Sequence, residues 1–270
     1  MPARVLIVAG SDSGGGAGIQ ADIKTVTALG GYATTAITAL TAQNTRGVFG
    51  IVGIEPKFIQ HQMRVVLEDI GADAVKTGML HDAAVIEAVR EVLDSLDPSL
   101  PVVVDPVMVA TSGDSLLDPG AVASLTGRLL PRATLLTPNA PEAARLCGRP
   151  VTDLDSMIAA AKKLRGMGSG AVLVKGGHLP GSTVIDVLAA GDTVETFTSP
   201  RIDTPHTHGT GCTLASAIAT GLGQGLDMRA AVARGRAYLQ EAIRTAPGLG
   251  RGHGPVNHGH TVRPFKGPID

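Results

Sequence analysis

Aromatic side chains are scarce in this chain. Its 270 residues include no Trp, two Tyr and four Phe, too few for the ring platforms on which single-stranded nucleic acid stacks. Charge of one sign is missing as well. Lys and Arg number 23 against 24 Asp and Glu, a formal net charge of −1, which offers nothing to a nucleic-acid backbone or an anionic membrane. The only cysteines are Cys147 and Cys212. Two thiols exclude a disulfide framework and a four-thiolate zinc site, and they suit a reducing compartment. No apolar run approaches the roughly 20 residues of a membrane helix, and Met1-Pro2-Ala3-Arg4-Val5 has no signal-peptide pattern. The expectation is a cytoplasmic protein without nucleic-acid or membrane partners.

What the chain has is small, apolar material. Hydrophobic residues make up 44% and charged residues 17%, with 35 Gly, enough to build a buried core and too apolar for a disordered chain. Val5-Leu6-Ile7-Val8-Ala9 is a continuous apolar run closed by Gly10, as in a strand covered on both faces. A glycine loop to Gly18 and a helix over about residues 19–29 follow. The loop read from Gly14 fails G-x-G-x-x-G because Ile occupies position 19, and it lacks G-K-[ST], so nicotinamide and Walker-type sites are disfavoured. Further strands are expected at 33–42, 48–54, 74–79, 101–106, 134–138 and 171–175. Helices are expected at 56–68, 82–95, 120–130, from Asn139, at 156–167 and at 228–244. Residues 184–188 and 194–197 read as a hairpin about Ala190-Gly191-Asp192. The alternation predicts one α/β domain over residues 1–270. Its sheet is mostly parallel, helices cover both faces, and some antiparallel strands come late in the chain.

Polar residues gather at strand carboxyl ends: Gly10, Gln43, Asp105, Asn139 and Lys175, the edge where open α/β sheets bind ligands. A second glycine stretch, His206-Thr207-His208-Gly209-Thr210-Gly211-Cys212-Thr213, opens a helix of small residues from Leu214 to Gly221. Bare amides and the helix dipole favour an anion there, and the same field favours a Cys212 thiolate. An ordinary helix start with a buried cysteine fits the same residues. Asp105 reads as a turn cap, a metal-water ligand or a charge partner. Asn139 and Glu142 read as a helix cap and first-turn acid, or as oxygen donors to Mg²⁺. Lys175 is a surface lysine or a cation over phosphates. Gln43 is a satisfied strand end or an amide matched to a heterocycle edge. His253, His258 and His260 lack metal-site spacing. Taken together, the glycine loop, the carboxylates and amide, and the lysine are the parts that phosphoryl transfer requires.

The ordered motifs are also familiar. They include Ala9-Gly10-Ser11-Asp12, Gly15-Gly16-Ala17-Gly18-Ile19-Gln20-Ala21-Asp22, Thr41-Ala42-Gln43-Asn44, Asp105-Pro106-Val107-Met108, Thr137-Pro138-Asn139, Val174-Lys175-Gly176-Gly177-His178, Thr207–Leu214 and Gly252–His258. Through them the chain resembles the hydroxymethylpyrimidine/phosphomethylpyrimidine kinases of thiamine biosynthesis, in the ribokinase-like superfamily. The resemblance implies a three-layer Rossmann-like α/β/α domain. It implies transfer of phosphate from ATP with Mg²⁺ to 4-amino-5-hydroxymethyl-2-methylpyrimidine and then to its monophosphate, in a homodimer. It sets Gly10, Asp22, Gln43, Met79 and Val107 about the pyrimidine, Asn139 and Lys175 at the ATP phosphates, and Glu142 and Asp105 at the metal, Asp105 directly or through water. Gly209, Thr210, Gly211 and Cys212 then form the anion hole, with Cys212 where most ribokinase-like enzymes carry a general-base Asp. Ser13-Gly14 departs from the Pro-Ser of many relatives. A pyridoxal kinase of the same fold and a non-catalytic pyrimidine-binding protein are the alternatives.

Overall fold

The computed structural model describes residues 1–109, 113, 116–118, 120–263 and 266–267. Thr111, Ser112 and Asp114, between the strand expected at 101–106 and the helix expected at 120–130, therefore lie outside the described residues. Nine strands form one sheet in the order β3-β2-β1-β4-β5-β6-β7-β8-β9. They are β1 (Arg4–Asp12), β2 (Tyr32–Asn44), β3 (Gly47–Gly53), β4 (Ala74–Thr77), β5 (Val102–Val104), β6 (Leu135–Leu136), β7 (Ala171–Val174), β8 (Thr183–Ala190) and β9 (Thr193–Pro200). The six strands from β2 to β7 run parallel. The expected hairpin β8–β9 closes one edge antiparallel. An antiparallel strand also closes the other edge: β3 returns directly beside β2 early in the chain, through the two residues Thr45-Arg46.

Helices α1 (Gly18–Ala28), α7 (Thr210–Gly223) and α8 (Met228–Arg244) cover one face. Helices α2 (Pro56–Asp69), α3 (Ala83–Asp94), α4 (Ala121–Ser124), α5 (Ala140–Cys147) and α6 (Leu154–Gly166) cover the other. Strand β1 shows how the sequence feeds both cores. Val5, Ile7 and Ala9 pack with Ile19, Leu214, Ile218 and Val232, whereas Leu6 and Val8 pack with Ile59, Met63 and Val89. Alternation of two residues sends successive side chains to opposite faces, so an unbroken apolar run serves a strand covered on both.

Local chemistry sets the element ends. Helix α6 starts two residues before its expected position because the Asp153 carboxylate accepts from the Ser156 amide and caps the turn. The helix expected over 120–130 is regular only as α4. It runs into a π turn (Leu125–Leu129) and a 3₁₀ turn (Leu130–Arg132) around Pro131, whose missing N–H ends the α pattern. Small residues let α7 and α8 approach closely: a Cβ on Gly235 would meet Ile218 Cγ1 at 3.0 Å, and one on Gly221 would meet Ala231 Cβ at 3.0 Å. No helix among the described residues is long and apolar enough to cross a membrane.

Ile7 is fully buried in the central strand, so Ile7→Ala should cost about 2–5 kcal/mol and Ile7→Val about 0.5–1.5. Denaturant unfolding of the three proteins checks the graded loss, and equal stability of all three would contradict this packing.

Candidate active site

The order of strand addition reverses between the parallel strands β1 and β4, and a crevice of about 720 Å³ opens above the carboxyl ends of the parallel strands. That position and volume match small-molecule sites in open α/β sheets. Gly10 and Met79 meet on its floor. A Cβ on Gly10 would lie 3.1 Å from the Met79 sulfur, so glycine keeps the floor open. Val107 and Gln43 complete this end. Oε1 of Gln43 accepts from Thr41 Oγ1 at 3.2 Å, and its Nε2 has no partner among the described residues. A free amide donor at a strand end suits the edge of a polar heterocycle.

Asp22 departs from its expected place. It is fully buried and does not line the crevice. Both its oxygens lie 2.8 Å from Lys76 Nζ, and Ser216 Oγ donates to Oδ1 at 2.7 Å. Burial alone would strip the Lys76 ammonium of its proton, but the Asp22 carboxylate outweighs it and holds the lysine pKa above its ordinary value. Asp22 thus acts behind the crevice wall, while Lys76 borders the crevice.

The other end is built on α7. Gly209 precedes it with φ +84°, and a Cβ there would overlap the Gly16 carbonyl oxygen. The amides of Gly211 and Cys212 have no acceptor among the described residues, and no side chain caps the helix. These groups and the helix dipole make an anion site. Directly beside it, Lys175 Nζ lies 2.9 Å from Asp105 Oδ1, which also accepts from Thr137 Oγ1 at 3.0 Å. A Cβ added to Gly211 would come within 3.3 Å of Lys175 Nζ and 3.4 Å of Asp105 Oδ2. Asp105 is therefore a charge partner of Lys175 at the mouth of the helix.

Asn139 caps α5 by accepting from the Glu142 amide, and Glu142 Oε2 accepts from the Asn139 amide, each at 2.8 Å. Strand pairing brings Asn139 beside Lys175. Burial raises the Glu142 pKa to about 7 against the pull of Lys175, with Asp105 adding to the rise. A bridge between phosphates, water and one or two carboxylates is the usual seat of Mg²⁺. The oxygen donors Glu142 and Asp105 fit that role, and the described residues form no closed cage of three or more metal-binding side chains.

The thiolate expected at Cys212 is opposed by the loss of water around the thiol. The residue is only half-buried where it lines the crevice, but desolvation pushes its pKa up to about 12, against the opposing pull of Lys76 and with the added repulsion of Asp22 and Asp105. One turn of helix dipole does not compensate for that loss of water. Of the C-terminal histidines, His253 and His260 each spend a ring nitrogen on a carbonyl oxygen, of Pro205 and Tyr238. His258 is buried.

Sequence reasoning missed three residues at this site: Lys76, Asp12 and His208. Lys76 was legible as the one charge in an otherwise apolar and Thr strand, Ala74–Thr77, which is buried throughout. Asp12 and His208 meet 2.8 Å apart although 196 positions separate them, and no local pattern announces such a contact.

Two predictions follow from these ionisations. The Glu142 pKa lies above its unfolded value, so its contribution to stability is complete below pH 4.5 and is lost as pH rises through about 7. Glu142→Gln keeps the capping acceptor and removes the charge, so its stability relative to the parent should be higher at pH 8 than at pH 5 in paired denaturation curves. Alkylation of Cys212 by iodoacetamide at pH 8, followed by peptide mass spectrometry, should be slower than that of a free thiol; an equal or faster rate would mean a thiolate.

Comparison with known proteins agrees with this geometry. Residues 12–257 match the family described as phosphomethylpyrimidine kinase. The chain is 49% identical over 258 residues to the hydroxymethylpyrimidine/phosphomethylpyrimidine kinase of Streptomyces coelicolor, covering 96% of this chain and 95% of that one. It is 56% identical over 254 residues to the thiamine biosynthesis bifunctional protein ThiED of Geobacter sulfurreducens, covering 94% of this chain and 52% of that protein, so it spans about half the length of that relative. Among solved structures, the pyridoxal kinase of Staphylococcus aureus in complex with AMP-PCP and pyridoxal superposes with a TM-score of 0.89 at 32% identity, over 97% of this chain and 96% of that one. The three-layer fold is the ribokinase-like one, and the chain belongs to the phosphomethylpyrimidine kinase family.

Proposed function

We propose that this chain is a single kinase domain that phosphorylates 4-amino-5-hydroxymethyl-2-methylpyrimidine with ATP, then phosphorylates the monophosphate to the diphosphate, in thiamine diphosphate biosynthesis. The observation that carries the reading is the Asp105–Lys175 pair, 2.9 Å apart, beside the uncapped start of α7. Phosphoryl transfer asks the protein mainly for positioning and for neutralisation of charge on the moving group. Lys175 supplies the cation, the amides of Gly211 and Cys212 supply the donors, and Gly209 and Thr210 shape the turn that presents them.

The acceptor enters at the other end of the same crevice, where Gly10, Gln43, Met79 and Val107 enclose a flat, mostly apolar slot. The free Gln43 amide orients the ring so that its hydroxymethyl group points at α7. The Lys76 ammonium, fixed by Asp22, holds positive charge behind the attacking oxygen. Mg²⁺, when bound by Glu142, Asp105 and the nucleotide phosphates, supplies charge neutralisation across the phosphates. Asn139 holds the Glu142 carboxyl in place through the cap. Cys212 donates its backbone amide, and its thiol is held toward the protonated form by desolvation; the loose transition state asks little of a base.

A cytoplasmic homodimer fits this reading. At the β3 edge, Leu40 and Val52 face each other across the β2–β3 pair and are about half exposed or more, at 47% and 64%. Such an apolar patch beside a sheet edge invites a second copy. A second acceptor is supported by the likeness to the pyridoxal kinase of S. aureus: pyridoxal is a flat heterocycle of similar size with a hydroxymethyl group.

The test is ADP release with ATP and Mg²⁺, offering the hydroxymethylpyrimidine, its monophosphate and pyridoxal in parallel. Turnover of the first two, with pyridoxal slower, is the expected outcome. Turnover of pyridoxal alone would move the protein to the second reading, and no turnover with any acceptor would defeat both.

A further inference from the structure

The crevice is assembled from two glycine loops that lie far apart in the sequence and touch in space. The first, residues 13–17, is wrapped around one carboxylate. Asp12 Oδ1 accepts from the Gly14 amide at 2.7 Å, and Oδ2 accepts from the Gly16 and Ala17 amides at 3.0 and 2.8 Å. The second is the turn into α7. His208, immediately before it, places Nε2 at 2.8 Å from the same Asp12 Oδ2. Both side chains are buried, Asp12 at 2% exposure and His208 at 6%.

The contact is tight on every side. A Cβ on Gly16 would overlap the His208 ring and meet Pro255 at 3.0 Å, and one on Gly209 would overlap the Gly16 carbonyl oxygen. The Gly18 amide reaches the Cys212 sulfur. From the far side, the C-terminal strap holds the histidine backbone: the His208 amide donates to Gly254 O at 3.1 Å, and His208 pairs with Pro255 as a short bridge. The same strap is tied to the end of β2, where Thr45 Oγ1 accepts from the Arg251 and Gly252 amides. An acid that already satisfies three loop amides spends its remaining strength on one imidazole, and that bond is the only one between side chains of the two loops among the described residues.

We infer that His208 is a positioning residue for phosphoryl transfer: pinned on Asp12, it locks the acceptor-side glycine loop to the start of α7 and so fixes the amides of Gly211 and Cys212 relative to the acceptor. The inference rests on the kinase reading for its consequence in catalysis, and on the loop contacts for the lock itself. The imidazole acts through backbone it holds still. A donor of the same reach therefore suffices, and Gln, whose Nε2 takes the place of the imidazole Nε2, supplies one.

The experiment compares the full-length protein with His208→Ala and His208→Gln by two readouts. Amide hydrogen exchange is followed in peptides covering residues 13–18 and 209–213, and kcat and KM are measured for ATP and the hydroxymethylpyrimidine. Expected for His208→Ala is faster exchange in both loops together and a fall in kcat of about 100-fold, the scale of a 1 Å misplacement, with KM for ATP within about threefold. Expected for His208→Gln is recovery of most of both. Faster exchange in one loop alone, unchanged kcat beside an active parent, or a Gln variant as impaired as Ala would overturn the lock. If His208→Ala does not fold, Asp12→Asn takes its place and should loosen both loops in the same coupled way. A parent inactive with every acceptor would sink the kinase reading, and the exchange result would still decide whether the lock exists.

Discussion

The close approach of the start of α7 to the first glycine loop is the constraint on which the site depends. No side chain fits between them: a Cβ on Gly209 would occupy the space of the Gly16 carbonyl, and one on Gly16 would occupy that of the His208 ring. Because the backbones touch, the bare amides of α7 reach the carboxyl edge of the sheet instead of stopping a side chain's width above it. Gly209 also needs its positive φ to turn the chain into the helix. The small residues of α7 serve the same end from behind, since Gly235 and Ala231 of α8 let that helix sit deep. The anion site proposed at the start of α7 therefore depends on packing density as much as on charge.

Charge is then arranged around that point in a region with little water. Two lysines and three acids, Lys76, Lys175, Asp22, Asp105 and Glu142, stand at or beneath the crevice, and all three acids are buried. Removing such charges from water is costly unless each meets a partner. Lys76 is committed to Asp22 and Lys175 to Asp105, which leaves Glu142 as the acid without a cation of its own. Burial raises its pKa to about 7 while Lys175 pulls the other way and Asp105 adds to the rise. The same desolvation raises the pKa of the Cys212 thiol. Charge brought in by a nucleotide and its metal would enter a site where Lys76 and Lys175 are already paired and the Glu142 carboxyl stands apart from them.

The fold was legible in the sequence wherever a side chain's identity reports its surroundings. The continuous run Val5–Ala9 announced a strand covered on both faces, and the small-residue run after Thr213 announced a closely packed helix. Strand ends marked by Gly10, Gln43, Asp105 and Lys175 announced the rim of the crevice, and these four do line it. The contacts that escaped the reading are those made between distant segments. Asp22 was assigned to the ligand on resemblance, but its pairing with Lys76 depends on β4 lying beside β1 and on α1 packing over them, which no short pattern encodes. The thiolate expected at Cys212 came from one local effect, the helix dipole. Desolvation, a property of the whole fold, opposes it.

A single crevice of this kind helps to explain how related kinases come to serve different ring substrates. In the proposed function the phosphoryl end is built from backbone amides, a lysine and acids whose places follow from strand order and helix packing, so it offers few single-residue routes to change. The acceptor end is different. Its walls are side chains, Met79 and Val107, and the Gln43 amide nitrogen, without a partner among the described residues, lies at the tip of a strand. Methionine is unbranched and adapts to shape, and an amide can present either a donor or an acceptor by turning about its last bond. Changes there alter the fit of a ring by steps of about 1–3 kcal/mol without disturbing the distance from hydroxymethyl group to α7. Selection among flat heterocycles can thus drift at one end of the crevice while the chemistry at the other stays constant.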